Sequence, residues 1–234
     1  MNILITGASR GIGAAAYSLL KKHSHRVVGH STKGSDDLVA GDLLDPAAPR
    51  NIWETALAEL DGQIDVLVNN AGIYEAVPDN ATDDEWHGAW NRTLTINLQA
   101  AADLSKHAVS HFLDNGIPGR IINIASRAAF RGDSSQHWHY AASKGAIVAM
   151  TRTIARGYAS EGILCFGVAP GFTVSEMTAE YLQGRGGAQI IADIPLGRVA
   201  STDEVAEVIR WLATEAPASA TGSVVDVNGA SYVR

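Results

Sequence analysis

Along the chain, short apolar runs alternate with longer stretches in which apolar positions recur every three to four residues. Seven runs have strand length: NILIT (2–6), RVVGH (26–30), LVAGD (38–42), IDVLVNN (64–70), GRIINIAS (119–126), ILCFGVA (163–169) and SVVDVN (223–228). Several are continuously apolar rather than alternating, the pattern of parallel strands covered on both faces. Helical periodicity falls near 12–23, 47–60, 83–114, 139–160 and 202–215, and Ser201-Thr202-Asp203-Glu204 predicts a capping box at the start of the last of these. This alternation predicts an α/β fold, a doubly wound parallel sheet of about seven strands with helices on both faces. No repeat, low-complexity tract or linker divides it, so one domain over 1–234 is expected. The segment STKGSDD between the second and third strands is too short and too polar for the usual crossover helix.

Composition narrows the class. The formal charge of -7 argues against a nucleic-acid surface. No apolar run approaches the roughly 20 residues that span a bilayer, and the strand pattern that begins at Asn2 leaves no room for a signal peptide. The single cysteine, Cys165, lies in an apolar run, is expected to be a buried small hydrophobe, and together with these features points to the cytoplasm.

Candidate chemistry begins after the first strand. Thr6 leads into Gly7-Ala8-Ser9-Arg10-Gly11-Ile12-Gly13 and then a helical pattern. Glycines there permit a tight turn and bring backbone N–H groups at a helix N-terminus up to a pyrophosphate, as in a Rossmann-like dinucleotide fold. The spacing is Gly-x-x-x-Gly-x-Gly, not the commoner Gly-x-Gly-x-x-Gly. After the second strand, where a free ribose 2′-hydroxyl calls for Asp or Glu, the chain offers His30-Ser31-Thr32-Lys33. With Arg10, this favours a 2′-phosphate and hence NADP, although Asp36 or Asp37 could fold back to the ribose and favour NAD. Asp42, beside Leu43, could receive an adenine amino group or simply begin a turn with Asp45 and Pro46. The fourth strand ends in Asn69-Asn70-Ala71-Gly72, where asparagine can bind backbone on both sides and Gly72 leaves room for a cofactor.

The stretch from Ile121 to Met150 reads as a strand ending at Ser126, a polar loop, and a helix carrying Tyr140 and Lys144. Residues four apart share a helix face, and a cation beside a phenol is expected to lower its pKa toward working pH. Tyr17 and Lys21 repeat the same spacing, so context must decide between the two pairs.

Assembled in order, Thr6-Gly-x-x-x-Gly-x-Gly13, Asn69-Asn70-Ala71-Gly72, Ser126, Tyr140-x-x-x-Lys144 and Pro170-Gly171 resemble the short-chain dehydrogenase/reductase family over essentially the whole chain. The endings Ile194–Arg198 and Asp226–Gly229 look most like its 3-oxoacyl-acyl-carrier-protein reductases. The resemblance implies a tetrad. Asn97 would bend its helix and hold a water linked to Lys144, Ser126 would bind the substrate carbonyl, Tyr140 would exchange a proton with it, and Lys144 would grip the nicotinamide ribose. Pro170, Gly171, Thr173 and Ser175 would meet the cofactor, with serine standing at the last position where the family usually has threonine.

The expected activity is NADP-preferring interconversion of a ketone and a secondary alcohol by hydride transfer, with a 3-oxoacyl thioester as first substrate. An NAD-dependent dehydrogenase of a small or cyclic secondary alcohol is the alternative. A non-catalytic nucleotide-binding module is a third reading, against which the intact tetrad speaks. Residues 172–198 are expected to form a substrate lid, and the resemblance implies a homotetramer built through the helices near 83–114 and 139–160 and the C-terminal segment. Ser126 and Tyr140 are 14 positions apart, one more than the commonest family spacing. Substrate contacts are therefore expected from Trp86, His87, Trp90, His137, Trp138 and His139. The two histidines near Tyr140 lack a clear third ligand, and no metal is expected. Arg127 and Arg131 could meet an acidic substrate or remain surface residues.

Overall fold

The computed structural model describes residues 1–174 and 187–234. Seven strands form one parallel sheet in the order β3-β2-β1-β4-β5-β6-β7. They are β1 Asn2–Ile5, β2 Arg26–Ser31, β3 Leu38–Ala40, β4 Val66–Asn69, β5 Gly119–Ile124, β6 Ile163–Pro170 and β7 Val224–Val227. The fold is the Rossmann-like doubly wound sheet expected from the apolar runs. β6 is buried along its whole length, as a strand with helices on both faces must be. Cys165 lies within it, fully buried.

The helices are α1 Gly11–Lys22, α2 Ala48–Glu59, α3 Asp83–Leu94, α4 Ala100–Asn115, α5 Ala128–Arg131, α6 Trp138–Tyr158, α7 Gly187–Ala192 and α8 Thr202–Thr214. Alternate strand residues feed the two sides of the sheet. Leu4, Leu67 and Ile121 pack with Ile52, Leu104, Phe112 and Ala155 from α2, α4 and α6. Ile3, Ile5, Val68, Ile122 and Phe166 pack with Ala16 and Leu20 of α1 and Ile209 and Leu212 of α8. Two capping boxes fix helix starts: Ser201 with Glu204 on α8, as expected, and Thr82 with Glu85 on α3, which the sequence reading overlooked.

Two local features differ from a plain helix-and-strand reading. The periodic stretch 83–114 is not one regular helix, because a π-helical turn, Thr95–Gln99, separates α3 from α4. The link from β2 to β3 holds no helix, as its polar sequence predicts, and β3 is only three residues long.

The sheet reverses its winding between β1 and β4, and the segments that leave these two strands at this point are linked by hydrogen bonds. Thr6 Oγ1 accepts the amides of Asn70 and Ala71, each at 3.0 Å. Asn70 Nδ2 donates to the carbonyls of Thr6 and Gly7 at 2.9 and 3.0 Å. This is the crevice where ligands bind in open parallel sheets.

Candidate active site

A cleft of about 900 Å³ opens over the carboxyl ends of the strands. One end is made by the glycine turn. Gly7 has φ +68°, a conformation that disfavours any other residue, and a Cβ there would lie 2.8 Å from Ala71 Cα. A Cβ on Gly13 would lie 2.0 Å from the Gly7 carbonyl oxygen, so the helix can start this close to the strand only with glycine. α1 has Arg10 as its N-cap residue, with no side-chain cap hydrogen bond and no acidic residue in its first turn. Its first amides therefore face the cleft beside Ser9, Arg10, Gly11, Ile12 and Gly13, an arrangement suited to a pyrophosphate.

The cleft is also lined by Ser31, Thr32, Asp42, Leu43, Asn70, Ala71 and Gly72. No carboxylate stands at the end of β2. His30 also borders the cleft but is 2% exposed. Its Nδ1 lies 3.4 Å from the Gly7 amide nitrogen and its Nε2 lies 2.9 Å from the Gly41 carbonyl oxygen. Burial lowers its pKa, so it is a neutral brace between the glycine turn and β3 rather than a phosphate ligand. Lys33 is exposed and outside the lining. The weight of any 2′-phosphate contact thus moves from Lys33 to Arg10. Asp42 Oδ1 accepts the Leu44 amide at 3.0 Å, which satisfies the turn reading while leaving the residue on the cleft wall. These residues fit a dinucleotide in both shape and donor set.

Ser126, Tyr140 and Lys144 meet on the cleft floor. Ser126 follows β5, accepts the Ala128 amide at 3.1 Å through Oγ, and pairs with the Tyr140 hydroxyl. Lys144 Nζ donates to the Ile124 carbonyl at 2.8 Å. Asn97, in the π-helical turn, accepts the Ile73 amide at 2.8 Å and donates to the Ile73 carbonyl at 3.0 Å. Its Nδ2 also donates to Ser143 Oγ at 3.3 Å. A Cβ on Gly72 would lie 3.3 Å from Asn97 Oδ1 and 3.5 Å from Lys144 Nζ, so Gly72 keeps open the space between them.

The expected lowering of the tyrosine pKa is reversed. Burial pushes Tyr140 up to about 12, against a smaller lowering by the Ser126 hydrogen bond. Burial also brings Lys144 down to about 8. The ammonium lies 5.8 Å from the Tyr140 ring centroid, so loss of hydration outweighs any attraction between phenolate and ammonium. The other pair, Tyr17 and Lys21, is hydrogen-bonded at 3.1 Å on the exposed face of α1. Spacing alone yields a contact there; burial at a strand end distinguishes the pair in the cleft.

The substrate side is not lined by the expected Trp and His residues. Trp86, His87, Trp90, His137, Trp138 and His139 all lie outside the lining. Trp86 meets Trp138 at 5.3 Å and Trp90 at 6.0 Å, while Trp90 meets His139 at 6.0 Å, forming an aromatic cluster where α3 crosses α6. Tyr74, which the sequence reading missed, lines the cleft instead. It stacks on His137 with ring centroids 4.0 Å apart, stands edge-on to Tyr140 at 4.7 Å, and donates to Asp133 at 3.2 Å. Arg127, Arg131, Asp133, Ser134, Gln189, Ile190 and Asp193 complete this side. Pro170, Gly171 and Thr173 line the cleft after β6. Ser175 and the rest of 175–186, within the expected lid at 172–198, lie outside the described residues. Among the described residues, no group of three His, Cys, Asp or Glu could hold a metal ion, and no helix is long and apolar enough to cross a membrane.

A family model described as enoyl-(acyl carrier protein) reductase matches residues 7–230. The 3-oxoacyl-[acyl-carrier-protein] reductase of Escherichia coli is 35% identical, covering 98% of this chain and 96% of its own. A short-chain dehydrogenase from Burkholderia cenocepacia, solved with NADP, superposes with a TM-score of 0.87 at 27% identity, covering 98% of this chain and 97% of its own. The 3-ketoacyl-(acyl-carrier-protein) reductase of Brucella melitensis, solved with NADH, gives 0.86 at 26% identity, covering 99% and 98%. The chain belongs to the short-chain dehydrogenase/reductase family and is an NAD(P)-dependent oxidoreductase.

Proposed function

We propose that this short-chain dehydrogenase/reductase interconverts a ketone and a secondary alcohol with NADP as preferred cofactor, reducing a 3-oxoacyl thioester. The observation that carries the reading is the meeting of Ser126, Tyr140 and Lys144 on the floor of a cleft that begins at the glycine turn. Bound NADPH supplies the hydride. Tyr140, kept protonated by burial, gives its proton to the carbonyl oxygen, and Ser126 donates to the same oxygen as negative charge develops. Lys144 would hold the nicotinamide ribose, and Asn97 would hold a water that links Lys144 to solvent for return of the proton.

Gly7, Ser9, Gly11, Ile12 and Gly13 hold the pyrophosphate, Asp42 and Leu43 the adenine, and Asn70, Ala71, Gly72, Pro170, Gly171 and Thr173 the rest of the cofactor. The 2′-phosphate falls to Arg10, Ser31 and Thr32, where NAD would lack a carboxylate partner at the end of β2. NAD remains a usable cofactor, in keeping with the NADH-bound relative. The thioester substrate is supported by the names of the E. coli and B. melitensis relatives. A homotetramer assembled through α3, α4 and α6 completes the proposal. It is supported by family resemblance and by Trp138, 53% exposed at the start of α6. The test is an assay of acetoacetyl-CoA with NADPH and NADH beside cyclohexanol with NADP and NAD. Faster thioester reduction with NADPH is expected; turnover confined to cyclohexanol and NAD would replace the reading with its alternative.

A further inference from the structure

Arg127 follows Ser126 directly in sequence and lines the same cleft. Its amide donates to the Pro170 carbonyl at 2.9 Å and its guanidinium lies 4.9 Å from the centroid of Phe172. The Arg131 amide donates to the Arg127 carbonyl at 3.0 Å, which sets the two arginines one helical turn apart on the same wall. Across the cleft, Asp193 follows α7 and reaches Arg131 at 2.5 Å, but Arg127 only at 3.9 Å. The Arg127 side chain is 12% exposed, and its Nη1 is buried without a hydrogen-bond partner. Two guanidiniums thus share one carboxylate that is itself 49% exposed. Asp133 lies nearby, with its Oδ1 engaged by the Tyr74 hydroxyl and the Ser134 amide.

We infer that the substrate carries an anionic group beyond its carbonyl, and that Arg127 and Arg131 bind that group in place of the Asp193 carboxylate. The inference rests on the reductase reading of the same cleft. A half-exposed ion pair is easily exchanged. An anion with two acceptor oxygens, inserted between the guanidiniums, satisfies the orphaned Nη1 as well as Arg131. The anion is a carboxylate on the ketone or a phosphate on its thioester carrier.

The test is titration calorimetry on the NADP+-bound protein with two matched pairs: 4-oxopentanoate against its methyl ester, and acetoacetyl-CoA against acetoacetyl-N-acetylcysteamine. In at least one pair the anionic member is expected to bind about tenfold tighter. Arg127→Gln and Arg131→Gln should each cut that ratio severalfold, and Asp193→Asn should tighten the anionic member by removing its competitor. Preference within the first pair identifies a carboxylate; preference confined to the second identifies a phosphate. A ratio near one in both pairs, or a ratio unmoved by the arginine variants, overturns the inference. So does weaker anion binding in Asp193→Asn. NADPH oxidation by the same four compounds is read alongside. Reduction without anion preference sinks the inference and leaves the reductase reading standing. Anion preference without reduction by either cofactor does the reverse.

Discussion

Lys144 Nζ donates to the Ile124 carbonyl at 2.8 Å, tying α6 to the end of β5 directly below the reacting serine. That bond holds the ammonium where burial already disfavours its charge. With a folded pKa near 8 and an ordinary value of 10.5, Lys144 binds fewer protons in the folded than in the unfolded chain between these limits. The cost of burying the charge is therefore full below about pH 8 and is relieved as pH rises toward 10.5. Tyr140 acts above that window. Its folded pKa near 12 exceeds the ordinary 10, so stability declines as pH rises from 10 toward 12. Urea unfolding of the cofactor-free protein should show stability rising from about pH 8 to 9, by on the order of 1 kcal/mol, and levelling above pH 9, where burial holds the Cys165 thiol up to about 12 while the unfolded thiol ionises. Lys144→Met should flatten that rise.

Asn97 satisfies both backbone groups of Ile73 from within the π-helical turn. Asn97→Ala leaves these groups partly buried and unpaired, at a cost of about 1–3 kcal/mol, and should lower kcat by more than tenfold. Thermal unfolding and steady-state kinetics measured together check both effects. A variant with wild-type kcat would remove Asn97 from the proton path.

Cofactor choice should depend on Arg10 more than on Lys33, because only Arg10 lines the cleft. Arg10→Ala is expected to weaken NADP binding by about tenfold while changing NAD little, a loss typical of a charged hydrogen-bond partner. Lys33→Ala should have the smaller effect. Fluorescence titration with both dinucleotides measures the difference.

Tyr74 touches the substrate side, whereas Trp138 belongs to the cluster between α3 and α6. Tyr74→Ala should raise the KM for the ketone severalfold or more. Trp138→Ala should leave kcat/KM near wild type when both proteins have the same oligomeric state by sedimentation.

The sheet was legible because its strands are continuous apolar runs with few polar interruptions. The cofactor crevice was legible because glycine at positions 7 and 13 answers a local steric demand. The π-helical turn was not legible from periodicity, which continues through 83–114; a bend at Asn97 was implied only by the family resemblance. Trp138 and His139 were misplaced for a related reason. They adjoin Tyr140 in sequence, but successive helical residues face different directions, and only one of the three faces the cleft. Tyr74 carried no motif. Its position is set by the ring of His137, which is 63 residues away and is brought close only by the fold. The tyrosine pKa went the wrong way because helix spacing says nothing about hydration, and burial dominates at the floor of this cleft.

The most direct measurement is turnover and dinucleotide binding by Tyr140→Phe, which removes one hydroxyl from the cleft floor and leaves the ring in place. NADPH oxidation with acetoacetyl-CoA should fall by at least about a hundredfold, the scale of a lost general acid, while the NADPH dissociation constant stays within a few-fold of wild type. Wild-type turnover in that variant would contradict proton transfer from Tyr140 and, with it, the mechanism.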